Sequence, residues 1–138
     1  MKRSASLVLM ELLIMLTVFA AAAALCLQAF AWSSRTSRES AAKDLAWIHG
    51  QNAAETLKYY QGDFALAAQA CGGQWNGTTW DISYDAHWNV TSADAVYLLQ
   101  VSCLPDEAEY LGRARLTVLD SEGLILSEFS VCWQEVTP

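Results

Sequence analysis

The sequence predicts an α+β fold in which a long N-terminal helix packs on a small antiparallel β-sheet. The first 61 residues contain no proline, and an apolar first half is followed by a polar stretch with apolar residues at helical spacing. From residue 62 onward, short runs of aromatic and β-branched residues alternate with turn sequences, as is typical of strands. At 138 residues, the chain has room for one membrane segment and one small domain.

The apolar first half is long enough to cross a membrane. From Leu7 to Trp32 the clearly polar residues are Glu11, Thr17 and Gln28. As a helix this segment would extend over roughly 39 Å, more than the ~30 Å hydrocarbon core requires. A carboxylate within such a helix costs about 2.5–3.5 kcal/mol on insertion scales, so Glu11 requires an explanation.

Three ordinary targeting segments leave Glu11 unexplained. A secretory signal cut after Ala29-Phe30-Ala31 would need a shorter apolar region, of about 7–15 residues. A lipoprotein signal ending at Cys26 would need a small residue where Leu25 stands. A plain signal anchor fits the length of the segment but gives Glu11 no role.

The N-terminal 32 residues resemble the type IV pilin and pseudopilin family. A basic leader, MKRSAS, precedes LVLME and about twenty apolar residues. The resemblance implies that a prepilin peptidase cuts between Ser6 and Leu7 and N-methylates the new amine of Leu7. Glu11 then becomes the fifth mature residue, where its carboxylate would pair with the amine of a neighbouring subunit and set the register of assembly.

The same resemblance implies a structural role. The sequence contains no Gly-rich phosphate loop and no nucleophile elbow, so neither enzymatic activity nor a cofactor is expected. The leader would be cytoplasmic, the C-terminal domain extracytoplasmic, and the mature chain part of a type IV pilus or a secretion or DNA-uptake pseudopilus. Its partners would be the peptidase, other subunits, the assembly platform membrane protein and the lipid bilayer. Helix packing would use Leu12, Leu13, Leu16 and the Phe19-Ala20 pair. The alternative is a single-pass or secreted binding domain that never polymerises.

Residues 33–61 are expected to continue the same helix with an amphipathic surface. The stripe predicted to face the sheet comprises Ala41, Leu45, Ile48, Asn52, Thr56 and Tyr59. Gly62 should end this helix, and Asp63 should cap a short second helix that closes at Gly72-Gly73. Residues 1–6, 7–32, 33–61 and 62–138 thus form the leader, the assembly helix, its amphipathic half and the sheet domain.

The sheet domain is expected to contain three to five antiparallel strands. WNGTTW carries a hairpin signal, and VYLLQVSC, LGRARLTVLD and LILSEFSVCW follow as strands. Ala114, Leu116 and Val118 should face the core, because alternate residues of a strand share a face. Asp-Ser-Glu-Gly, at residues 120–123, should form the last turn.

Composition argues against several other functions. The net charge of −7 is unsuited to nucleic-acid binding, which requires clustered Lys and Arg. His87, beside Asp85, is predicted to be an ordinary loop or strand histidine, and the acidic run 106–109 a solvated turn. Trp75, Trp80, Tyr84 and Trp88 are interpreted as core residues in preference to a ligand-binding face.

The four cysteines form no pattern typical of a zinc site. In a simple meander Cys103 and Cys132 would lie two strands apart, about 9.5 Å, whereas a disulfide requires Cα atoms within about 6.8 Å. Cys71 is therefore the predicted partner of Cys103. Cys26 is expected to pack among apolar side chains.

Overall fold

A computed structural model describes residues 2–105 and 111–134 and confirms the α+β class. The five strands form one antiparallel sheet, in which each strand pairs with the next one along the chain. The chain divides into two compact units, one through Ser40 and one from Ala41 onward. The acidic run 106–109 lies outside the described residues. The elements are α1 (Lys2–Tyr59), α2 (Phe64–Cys71), β1 (Gln74–Trp75), β2 (Thr79–Tyr84), β3 (Tyr97–Leu104), β4 (Leu111–Asp120) and β5 (Ile125–Gln134).

The predicted junction between the two helices is confirmed. Beyond α1, Gln61 and Gly62 take positive φ values of 52° and 86°, a conformation that stops a helix. The Asp63 side chain then accepts a hydrogen bond of 3.0 Å from the backbone N–H of Leu66, which caps α2. α2 ends at Gly72, whose φ is 74°.

Both predicted turns form. In the first hairpin Asn76 Oδ1 accepts from the backbone N–H groups of Thr78 and Thr79 at 2.9 and 2.8 Å. This bonding places Trp75 opposite Trp80 in the β1–β2 register. The turn at residues 120–123 joins β4 to β5, and Gly123 there has a φ of 79°.

The predicted division of β4 into a buried and a wet face is also confirmed. Ala114, Leu116 and Val118 are completely buried. The alternate residues Arg113, Arg115 and Thr117 lie on the other face, where they are partly or fully exposed. Across β5 the core face continues through residues 127, 129, 131 and 133, because these are the register partners of the buried β4 positions.

The prediction of which α1 face packs on the sheet was wrong. Leu45, Ile48 and Tyr59 of the predicted stripe are 39%, 49% and 80% exposed. The buried positions are instead Ala46, Gly50, Ala53, Ala54 and Leu57. The sheet already contributes large side chains such as Trp80 and Leu116, and a close-packed core then leaves room mainly for small residues on the helix, with Leu57 as a large exception.

Candidate functional site: the N-terminal apolar helix

The first unit contains a stretch of α1 that is long and apolar enough to cross a membrane, and none of that stretch is buried within the chain. Its large apolar side chains are all more than half exposed, including Leu7 at its start (68%) and Trp32 at its end (75%). Removing apolar surface from water lowers the free energy by roughly 25 cal/mol per Å². A surface of this kind therefore favours lipid or other apolar helices around it.

Glu11 lies within this apolar surface and is exposed. It is the only charged residue between Leu7 and Ser34. Residues four apart lie on the same helix face, with an axial separation of about 6 Å. The predicted new amine at Leu7 and the Glu11 carboxylate would therefore lie one turn apart on one side of α1.

The predicted packing residues are all available for contact with another helix. Leu12, Leu13, Leu16 and Phe19 are 61–72% exposed. The five alanines at positions 20–24 follow them, and small residues of this kind allow two helix backbones to approach closely. Thr17 donates from its hydroxyl to the Leu13 carbonyl oxygen at 2.8 Å, so this polar group is satisfied within α1.

The predicted processing site is helical. α1 begins at Lys2, so Ser6 and Leu7 both have helical backbone. A peptidase that binds its substrate in an extended form would have to unwind this turn first. Helix propensity around residue 6 should therefore influence the rate of processing.

The predicted disulfide partners are not brought together. Cys71 ends α2 and lies near enough to Tyr84, at one end of β2, to raise the pKa of that tyrosine. Cys103 lies opposite Ala114 in β3–β4 pairing, just beyond the other end of β2. Cys132 is the register partner of Arg113 and so lies on the opposite face of the sheet from Cys103. All four cysteines are among the described residues, and none forms a disulfide bond.

The aromatic segment belongs largely to the core, as interpreted from the sequence. Trp80 is completely buried and Tyr84 is 5% exposed. Trp75 and Trp88 are partly buried and pack against the same cluster. Burial, followed by the nearby charge of Cys71, raises the pKa of Tyr84 to about 12.

An aromatic stack that no sequence pattern indicated links His49 of α1 to the sheet domain. The Trp88 ring lies between His49 and Tyr97, with centroid distances of 5.0 and 4.2 Å and nearly parallel planes. Trp88 has a φ of 63°, which is uncommon for a residue with a large side chain. Burial lowers the pKa of His49 from its usual value of 6.5.

The Asp85 carboxylate is occupied by its own loop. It accepts from the backbone N–H groups of His87 and Asn89 at 2.8 and 3.0 Å, and from Asn89 Nδ2 at 3.1 Å. These bonds, those from Asn89 above all, lower the pKa of Asp85. Asp85 thus shapes the β2–β3 loop, and its described bond to His87 goes to the backbone rather than to the imidazole ring.

In comparisons with known proteins, no family model, curated protein or solved structure matches the chain. Among residues 2–105 and 111–134, no group of three His, Cys, Asp or Glu side chains is arranged to hold a metal ion. The apolar helix with Glu11 is therefore the feature on which a functional proposal can be built.

Proposed function

We propose that the chain is a pilin-like structural subunit that a prepilin peptidase trims and N-methylates at Leu7, and that polymerises through its N-terminal helix. The observation that carries the proposal is an apolar helical segment, residues 7–32, that is not buried within the chain and whose single charged residue, Glu11, lies four residues after Leu7. A membrane anchor needs the apolar surface but gains nothing from the carboxylate. A polymerising helix can use both.

The physical role of Glu11 follows from the cost of a lone buried charge. Removing residues 1–6 would remove Lys2 and Arg3 and leave the α-amine of Leu7 as the nearest cation. In a bundle of such helices, the amine of one subunit can pair with the Glu11 carboxylate of another. Breaking a buried pair costs about 3–5 kcal/mol, so subunits that are out of register would be disfavoured.

The exposed leucines and the alanine run support the same assembly. In the absence of water, helices associate mainly through close van der Waals packing. Leu12, Leu13, Leu16 and Phe19 supply large contacts, and residues 20–24 supply a narrow surface. The subunit would thus be held laterally by packing and longitudinally by the Glu11 pair, with its sheet domain on the outside.

Two measurements test this proposal in the native host. The first is the intact mass and N-terminal sequence of the protein taken from the membrane, which should show a chain that begins at Leu7 and carries a methyl group. A chain that begins at Met1 would indicate a simple anchor, and one that begins at Trp32 a cleaved secretion signal. Either result would overturn the proposal.

The second measurement compares Glu11→Ala with Thr17→Ala on the same helix. Both variants should be inserted in the membrane, but only Glu11→Ala should be lost from the sheared filament fraction. Thr17 bonds its own backbone, so its replacement tests for a general effect of lost polarity. Normal incorporation of Glu11→Ala would refute the register role.

A further inference from the structure

The outer edge of β5 has the properties of an interaction surface. Among residues 2–105 and 111–134, no strand pairs with that side of β5, which is ten residues long. Its sequence, ILSEFSVCWQ, contains no proline, lysine or arginine, the residues that commonly protect such edges. Its single charge, Glu128, lies 3.7 Å from Arg115 on the neighbouring strand. The edge is therefore long and nearly neutral, and no described strand covers it.

An exposed aromatic ring flanks the middle of this edge. Trp47 of α1 packs on Phe129, the residue at the centre of β5, with ring centroids 4.6 Å apart. Trp47 nevertheless remains 45% exposed. Because Phe129 belongs to the last strand of the sheet, the ring lies above the edge. An added strand would bring further side chains towards that ring.

We propose that the β5 edge binds the β5 edge of a second copy of this chain, so that two sheets join antiparallel about a two-fold axis. The opposite edge strand, β1, has only two residues, so β5 is the one strand of the described sheet that can pair over ten residues. A two-fold axis through the centre of β5 also brings the two Trp47–Phe129 pairs together. One operation thus pairs the backbones and covers both rings.

The charges on the edge tolerate this self-pairing. With the axis at Phe129, Glu128 faces Ser130 of the second copy, and with the axis at Ser130 it faces Cys132. Neither register places two carboxylates directly opposite each other, an arrangement that would be destabilising. The outer-face residues of β5 that follow Glu128, namely Ser130, Cys132 and Gln134, are uncharged.

This contact differs from the assembly proposed above and does not rest on it. The β5 contact uses the backbone edge of the sheet, whereas the assembly proposed above uses the apolar side chains of the first unit.

The test uses the full-length chain in lipid nanodiscs that each hold one copy, so that association through the apolar helix is excluded. Mass photometry and sedimentation then measure pairing of discs as a function of concentration. Ser130→Asp places a carboxylate opposite Glu128 or its own symmetry mate in either register. Trp47→Ser removes the flanking ring. The matched controls are Ser92→Asp on an exposed loop and Ile48→Ser, which removes a side chain of similar exposure.

The proposal expects wild-type discs to pair, and Ser130→Asp and Trp47→Ser each to weaken pairing by about tenfold or more, the equivalent of about 1.4 kcal/mol. The two controls should stay within about twofold of wild type. Near-UV circular dichroism checks that each variant is folded. Wild-type discs that remain single up to roughly 100 μM, a weak-affinity limit, would overturn the proposal. Pairing that Ser130→Asp leaves unchanged would overturn it equally.

Discussion

Replacement of Gly112 by alanine should destabilise the sheet domain strongly. A Cβ atom at this position would lie 2.3 Å from Trp133 Cε2 and 2.4 Å from its Nε1. The indole cannot retreat easily, because a Cβ at Gly62, which also contacts Trp133, would lie 2.4 Å from the same Nε1. Trp133 is 8% exposed. The ring is therefore held between two glycines.

The size of the effect follows from this confinement. Overpacking a close-packed site costs about 1–3 kcal/mol, and expelling a buried tryptophan costs about 3–5 kcal/mol. We expect Gly112→Ala to lower the free energy of unfolding by about 2–4 kcal/mol. Gly50→Ala is the matched contrast, because its Cβ would meet the half-buried ring of Phe129 at 2.8 Å, while alanine favours the helix by about 0.5–1 kcal/mol. The net change there should be small.

Urea unfolding of the full chain in mild detergent, followed by tryptophan fluorescence, measures both changes. A double-mutant cycle with Trp133→Phe locates the cause, because a smaller ring should make the alanine at 112 less costly. The Trp133 Nε1 donor has no hydrogen-bond partner among the described residues, so phenylalanine loses no bond. A Gly112→Ala variant within about 0.5 kcal/mol of wild type, the usual range for uncritical positions, would refute the packing argument.

Three further predictions follow from other parts of the chain. Burial lowers the pKa of His49, so the imidazole binds a proton at higher pH in the unfolded chain than in the folded one, and the free energy of unfolding should fall as the pH drops below about 6.5. His49→Phe should make the free energy of unfolding less dependent on pH in urea titrations. An unchanged pH dependence would contradict this assignment. Ser6→Gly should raise the fraction of chains cut before Leu7 in a pulse-chase experiment, because glycine weakens the helical turn, whereas Ser6→Ala should not. Equal cleavage rates for the two variants would contradict the role of the helical turn. Asp63→Ala should lower the free energy of unfolding by about 0.5–2 kcal/mol through loss of the α2 cap, whereas Asp63→Ser should keep most of the stability because serine also caps helices. Equal losses for the two variants in urea titrations would show that capping is not the cause.

The local features of the fold could be predicted because short-range chemistry fixes them. The Asn-Gly pair, the Asp120–Gly123 turn and the cap at Asp63 each depend on residues within four positions of one another. The alternation along β4 likewise reports its buried face directly. None of these features depends on contacts between residues that are distant in sequence.

The buried face of α1 could not be predicted in the same way. Helical spacing identified a stripe through Leu45 and Ile48, since large apolar residues usually face the core. The sheet reversed that preference over most of the helix, because its own large side chains fill the space and leave room mainly for small residues such as Ala46 and Gly50, although Leu57 is also buried. The stacking of His49 on Trp88 was also unforeseen, since no local pattern links a helix residue to a distant loop.

The sequence by itself determined the long proline-free helix, its apolar first half with Glu11, an antiparallel sheet of three to five strands, the buried face of β4, and the first and last turns of the sheet. These follow from periodicity, charge and turn chemistry, which act over a few residues. Only the tertiary structure decided which helix face is buried, where the cysteines lie relative to one another, and that β5 ends the sheet with Trp47 above it. Those outcomes depend on how side chains distant in sequence share one volume, and no local pattern encodes that complementarity.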